Sequence, residues 1–172
     1  MGHFFLPFFL STFPSPSASF FFSFLLVSRS DLPQELSLSS CSFSSAAPYI
    51  GHLSLLQSLM LEDTNVAAGD ISHLSRLQKL RFLMLAPTKR EETEEGLQSV
   101  STKVCLSRED MKVIGTFHQL TELHFGDSVF DVKDLLLLKG LTSLMRASIP
   151  HVVAEEERAY EYFATLTSLQ EL

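Results

Sequence analysis

The chain has 172 residues, which is enough for one domain with its own hydrophobic core, and a formal net charge of −7. It has no cluster of Lys and Arg of the kind that neutralises phosphates, so the composition argues against nucleic acid as a partner. Its two cysteines, Cys41 and Cys105, do not form a disulfide framework, and no Cys or His pair has zinc-ligand spacing, so we expect no metal and no cofactor.

The leader, residues 1–31, differs in kind from the rest of the chain. Nine of the fifteen phenylalanines lie within residues 4–24, and 22 of residues 4–28 are Phe, Leu, Pro or Ser. Three interpretations stay open: a signal-like peptide, a membrane anchor, or an artefact of translating a pyrimidine-rich leader, in which case the segment is disordered. The chain would be cytoplasmic in the last case, and secreted or membrane-bound in the first two, so localisation stays unknown.

From position 32 onward the chain repeats itself at intervals of roughly 20 residues, a spacing that is typical of solenoid repeats. "IGHLSLLQSL" (residues 50–59) and "ISHLSRLQKL" (71–80) are the clearest copies, and "FHQLTELHF" (117–125) is a third. The template L-x-x-L-x-L-x-x-N/C-x-L organises these copies. Its fourth and sixth positions are Leu36/Leu38, Leu59/Leu61, Leu83/Leu85, Val104/Leu106, Leu123/Phe125 and Ala147/Ile149, with Leu172 at the fourth position of a truncated seventh unit.

This pattern resembles the leucine-rich repeat family, in its short-repeat form, over residues 32–172. The resemblance implies an α/β solenoid: a curved stack with short parallel strands on the concave face and 3₁₀ or short helices on the convex face. The phrases "HLSRLQKL" and "LTSLQEL" also resemble leucine-rich repeat proteins of trypanosomes. Some members of that group carry a zinc-binding RING, but the cysteines it needs are absent here, so no zinc binding or ubiquitin-ligase activity is implied.

The spacing within each unit fits this architecture. The x-L-x-L-x segments alternate as half-buried strands do. Apolar residues then recur every three places, as at Ile71, Leu74, Leu77 and Leu80, which is typical of a 3₁₀-like turn. Residues 134–139 and 155–163 look more helical, and the charged run at 89–95 is interpreted as a solvated loop. The ninth position, usually Asn or Cys, is filled here by Cys41, Thr64, Thr88, Glu109, Ser128 and Val152.

In such a stack the strand residues between the leucines face outward and are the candidates for binding a protein or peptide. Phe82, Met60 and Met84 form a predicted apolar patch. A shift of the register by a single position would instead bury the methionines, and that alternative stays open. The predicted partner-binding residues of the concave face are Met60, Glu62, Asp63, Phe82, Met84, Lys103, Arg108, Glu122, His124 and Asp127.

The stretch "LHFGDSVFD" (residues 123–131) resembles the nucleophile block of GDS-type serine hydrolases. A nucleophile also needs a base and an oxyanion site. Only His151 follows Ser128, with Ser148 where that family has Asp, and its Gly-x-Asn-Asp block is absent. We therefore expect no enzyme, with a GDS-type hydrolase as a remote alternative and Ser128 as a turn residue.

The sequence thus predicts a non-enzymatic protein-binding module. The alternative is a secreted or membrane-anchored receptor-like protein of the same repeat class, which depends on the nature of the leader. Because the seventh unit is unfinished and no polar cap covers the core, we expect a fragment or a truncated gene product, and we expect residues 32–172 alone to be marginally stable or self-associating.

Overall fold

The computed structural model describes residues 34–39, 42–86, 104–148, 164 and 166–171. The predicted leader, the charged run at 89–95 and the helical segment at 155–163 lie outside the described residues.

Five short strands form one parallel sheet in the order in which they occur along the chain. Consecutive strands are direct neighbours, so each unit adds one strand to the edge of the stack. This open, sequentially ordered parallel sheet fits the predicted repeat fold. The strands are β1 (Glu35–Ser39), β2 (Ser58–Glu62), β3 (Phe82–Ala86), β4 (Glu122–His124) and β5 (Arg146–Ser148).

A second layer of short helices connects the strands and packs on one face of the sheet. Two of the described elements are α-helical and two are 3₁₀-helical, and each contacts the next along the stack. The 3₁₀ turn that was predicted from the recurrence of apolar residues every three places begins at Asp70, and the helical segment predicted at 134–139 lies in a second 3₁₀ helix. The elements are α1 (Phe43–Ile50), η1 (Asp70–Leu74), α2 (Arg108–Ile114) and η2 (Val132–Gly140).

The core lies between these layers and consists of the predicted ladder of apolar side chains. The strand residues Leu59, Leu61, Leu83 and Leu85 are fully buried. The turns contribute one buried apolar residue every three places, because a 3₁₀ turn returns every third side chain to the same side. Those residues are Ile71, Leu74, Leu77, Leu80, Phe117, Leu120, Leu141 and Leu144, all without exposed surface.

The predicted fourth unit is wrong. β3 pairs directly with β4, with Leu83 opposite Leu123, so Val104 and Leu106 are not the strand of an intervening unit. Val104 instead pairs with Val66, and Cys105 pairs with Val129, in a second row of isolated parallel bridges. β3 and Val104 therefore belong to one unit, and in the sequence residues 87–103 are inserted between them.

The corrected units begin at residues 35, 58, 82, 122 and 146. Glu171 pairs with Arg146, which makes Glu171 the third position of a sixth unit rather than a seventh. The fourth unit was misassigned because the residues around Val104 alternate between apolar and polar as those of a strand do. Val104 and Cys105 instead form the second row of bridges.

Thr64, the ninth residue of the second unit, forms hydrogen bonds with nearby backbone carbonyls. The Thr64 hydroxyl contacts the Glu62 carbonyl at 2.8 Å and the Leu38 carbonyl of the preceding unit at 3.3 Å. Glu109 was assigned to this position, but it lies in the first turn of α2 and its carboxylate contacts Lys112. Cys41, Thr88 and Val152 lie outside the described residues.

Candidate functional site

Two rows of side chains cross the sheet on the face opposite the core. Alternate residues of a strand point to opposite faces, so the neighbours of the buried leucines form these rows, and we call this surface the open face. The strand pairing aligns both rows as the sequence predicts, except that Phe82 pairs directly with Glu122 and Met84 with His124, where a further unit was predicted between them. The first row is Glu35, Ser58, Phe82, Glu122 and Arg146, and the second is Ser37, Met60, Met84, His124 and Ser148.

The methionines belong to the open face and not to the core. Met60 and Met84 are opposite each other on β2 and β3, and both are half-buried. The leucines on either side of Met84, Leu83 and Leu85, have no exposed surface. The alternative of a shifted register is therefore wrong.

An aromatic pair extends the methionines across the sheet. The rings of Phe82 and His124 lie 5.5 Å apart between centroids at an angle of 42°. Both side chains are half-buried, and His124 stands opposite Met84 on the neighbouring strand. Met60, Phe82, Met84 and the ring of His124 together form what we call the apolar patch, a contiguous surface over three strands.

Glu122 lies beside this patch and forms an ion pair with Arg146 of the neighbouring strand β5. The Arg146 guanidinium donates a hydrogen bond to one oxygen of the Glu122 carboxylate. His124 Nε2 lies 3.8 Å from the other oxygen. The charge of Arg146 is therefore compensated within the open face, although an ion pair that is this exposed contributes less than about 1 kcal/mol to stability.

Carboxylates border the open face at the carboxyl ends of the strands. Glu62 is the last residue of β2 and is exposed, and Asp63 follows it with a φ of 52°. Asp is among the few residues that tolerate this left-handed conformation. Asp127 occupies the position of the fourth unit that corresponds to Asp63, and its side chain is exposed. The residue before it, Gly126, also has a left-handed backbone, with a φ of 53°. We call Glu62, Asp63 and Asp127 the acidic edge.

Arg108 was predicted on this same face, on the other side of the methionines and Phe82 from Glu62 and Asp63, and that position is wrong. Arg108 is the first residue of α2, in the helical layer, and its Nε lies 3.8 Å from the Asp134 carboxylate. The error follows from the misplaced fourth unit. Lys103, the other predicted cation of this face, lies outside the described residues.

The helical layer contains a column of three buried aspartates that the sequence analysis did not predict. Asp70, Asp110 and Asp134 are each buried, and each precedes a buried apolar residue of a helical turn. The sequence signal was an Asp followed by apolar residues one and four places later, in "DISHL", "DMKVI" and "DLLLL". These carboxylates had no predicted role because an Asp at the start of a turn is usually interpreted as solvated.

Each aspartate of the column contacts the preceding unit. The Asp70 carboxylate accepts a hydrogen bond from the Ser44 hydroxyl of α1 at 2.7 Å, and Asp110 accepts one from the Gly69 N–H at 2.7 Å. Asp134 is paired with Arg108 of α2. The column therefore joins successive units of the helical layer, which is a structural role.

Ser128 is a turn residue, as the sequence predicts. Its hydroxyl donates to the Phe125 carbonyl, and its own N–H donates to that same carbonyl at 3.1 Å. Ser128 is 3% exposed, so the hydroxyl is held within the turn rather than offered to a substrate. Phe130 returns to the core side, where its ring lies 4.9 Å from that of Phe125.

Two features are absent from the described part of the chain. No group of three His, Cys, Asp or Glu side chains in that part of the chain is arranged to hold a metal ion. None of its helices has the length and apolar content needed to cross a bilayer.

Among solved structures, the chain is similar to an internalin from Listeria monocytogenes strain 4b F2365, with 17% sequence identity and a TM-score of 0.38. The alignment covers 72% of this chain and 36% of the internalin, so the chain spans about a third of that protein's length. No protein-family model matches the chain, and no curated protein matches it significantly. A likeness at this TM-score assigns neither a family nor a function to the chain.

Proposed function

We propose that the chain is a leucine-rich repeat module that binds a protein or peptide through the open face, without catalysis. The observation that carries this proposal is the apolar patch: two methionines and two rings lie side by side on a sheet face that no described element covers. Partly exposed clusters of apolar side chains on a sheet face can mark sites of contact with a partner. In this proposal the open face is the concave face of a curved stack.

The chemistry of the patch suits a peptide or protein partner. Methionine side chains are unbranched and polarizable, so they adapt to varied apolar partners. Aromatic and methionine side chains are enriched at the centres of protein interfaces. The sheet beneath them supplies a fixed backbone, because fully buried leucines flank the two methionines along their strands.

The test is selection of a displayed random-peptide library on the full-length chain. We expect peptides that bind the wild-type chain and bind Met84→Glu at least about tenfold more weakly, because a carboxylate at the centre of an apolar contact is desolvated on binding. Met60→Glu provides a second disruption of the patch. Thermal unfolding followed by circular dichroism establishes that each variant is folded.

The control is Glu109→Gln, which changes an exposed carboxylate of α2 in the helical layer. It should bind every selected peptide as the wild type does. Failure to select any peptide, or selected peptides that bind the folded Met84→Glu and Met60→Glu variants at wild-type strength, would refute binding through the open face.

A further inference from the structure

We infer that the partner segment presents an apolar side chain to the apolar patch and a lysine or arginine to the acidic edge. This inference rests on the proposed function and names the chemistry of the partner. It follows from the corrected position of Arg108, which removes a cation from the face that the sequence had given mixed charge.

The charge balance of the open face carries the first step. Leaving aside Asp63, which has a partner of its own, the two rows and the acidic edge hold four carboxylates and one guanidinium among the described residues: Glu35, Glu62, Glu122 and Asp127 against Arg146. The guanidinium already contacts Glu122. A surface of one dominant charge sign attracts partners of the opposite sign and repels acidic ones.

The geometry carries the second step. Met60 and Glu62 are two positions apart on β2, so their side chains leave the same face of the sheet about 7 Å apart. Asp127 follows β4, two strands away, or about 10 Å across the sheet. An extended segment lying along the strands, with an apolar and a cationic side chain two positions apart, matches the first of these spacings.

The exposure of the carboxylates carries the third step. Glu62 and Asp127 are exposed at the strand ends, so an incoming ammonium or guanidinium reaches them without unfolding the sheet. The patch beside them is half-buried, and its coverage would exclude water from one side of the ion pair. Such partly desolvated pairs contribute more to specificity than pairs in open solvent do.

The experiment measures fluorescence anisotropy of three short synthetic peptides of equal length with the full-length chain. One alternates leucine and lysine, the second alternates leucine and glutamate, and the third alternates serine and lysine. We expect the leucine–lysine peptide to bind at least about tenfold more tightly than either of the others at low salt. Raising the salt to about 0.5 M should reduce its advantage over the leucine–glutamate peptide, because exposed charges are screened.

The double variant Glu62→Gln/Asp127→Asn should bind the leucine–lysine peptide about threefold to tenfold more weakly, whereas Glu109→Gln should bind it like the wild type. If the lysine and glutamate peptides bind equally and both weaken in Met84→Ser, the charge inference is overturned while binding by the apolar patch stands. If the serine–lysine peptide binds as tightly as the leucine–lysine peptide, or none of the three binds, the inference is likewise overturned.

Discussion

The Asp110 carboxylate accepts a hydrogen bond from the backbone N–H of Gly69, 41 residues earlier in the chain, at 2.7 Å. The same carboxylate accepts from the Ser72 N–H at 3.2 Å, and from the N–H and the hydroxyl of Ser107, the N-cap of α2. Asp110 has no exposed surface. One buried side chain thus caps its own helix and fixes the preceding 3₁₀ turn against it.

Replacing Asp110 with alanine should be strongly destabilising. The change leaves several donors of two adjacent units buried without an acceptor, and each such loss costs about 1–3 kcal/mol. We expect Asp110→Ala to lower the free energy of unfolding by about 3 kcal/mol or more, measured by urea denaturation. Glu109→Ala is the matched control, because its exposed carboxylate forms an ion pair with Lys112 on the same helix, and it should cost less than about 1 kcal/mol. Equal effects of the two variants would contradict the role given to Asp110.

The second prediction concerns Gly115, where the backbones of α2 and η2 come into close contact. A Cβ built there would lie 2.1 Å from the Leu137 carbonyl oxygen of η2, a distance no real contact allows. Gly115→Ala therefore forces α2 and η2 apart. We expect it to lower the thermal midpoint and to reduce the free energy of unfolding by about 1–3 kcal/mol.

Ser75 is the control for that variant, because it occupies the equivalent place after η1 and already carries a Cβ. Ser75→Ala should leave the thermal midpoint nearly unchanged. Should Gly115→Ala melt at the wild-type temperature, the tight stacking of these two helices would be disproved.

Much of the fold was predictable because the repeat constrains it. The period of three around Leu74 and Leu77 and the alternation around Leu83 and Leu85 predict buried apolar side chains and short strands, and the structure has both. The sequence left the register open by one position, and the burial of Leu83 and Leu85 decides it. The rings of Phe82 and His124 were placed on the open face by the same argument, although their contact was not foreseen.

The features that the sequence did not predict depend on contacts between residues far apart in the chain, which local sequence patterns do not reveal. The strand-like letters at Val104 belong to a bridge with Val66, and only the pairing partner distinguishes that bridge from a strand of the main sheet. Misplacing Val104 misplaced Arg108 with it. The role of Asp110 depends on donors 38 and 41 residues away, which no window of the sequence contains.

The register of β3 leads to a third prediction. Leu83 is fully buried, whereas Met84, the next residue, is half-buried on the open face. Leu83→Ala should destabilise the chain by about 2–5 kcal/mol, since it leaves a cavity in the core. Met84→Ala should cost less than about 1 kcal/mol, because its contacts are partly with solvent. Chemical denaturation of both variants checks the difference, and a reversed order would mean that the faces of the strand are exchanged.

The insertion in the third unit leads to the last prediction. In the second unit, the segment 63–65 connects the end of β2 at Glu62 to Val66 in the second row of bridges. In the third unit, the much longer segment 87–103 connects Ala86 to Val104, which pairs with Val66. If the second unit is the complete form of the repeat, replacing 87–103 with the Asp-Thr-Asn of 63–65 should preserve the stack.

The shorter connection also reduces the entropy lost on closure, by about 1 kcal/mol. We therefore expect the shortened chain to unfold cooperatively at or above the wild-type midpoint in a thermal melt, with Asp110→Ala destabilising it as in the parent. If Val104 instead began a strand of a separate unit, the same replacement would remove the connection that this strand needs and abolish cooperative unfolding.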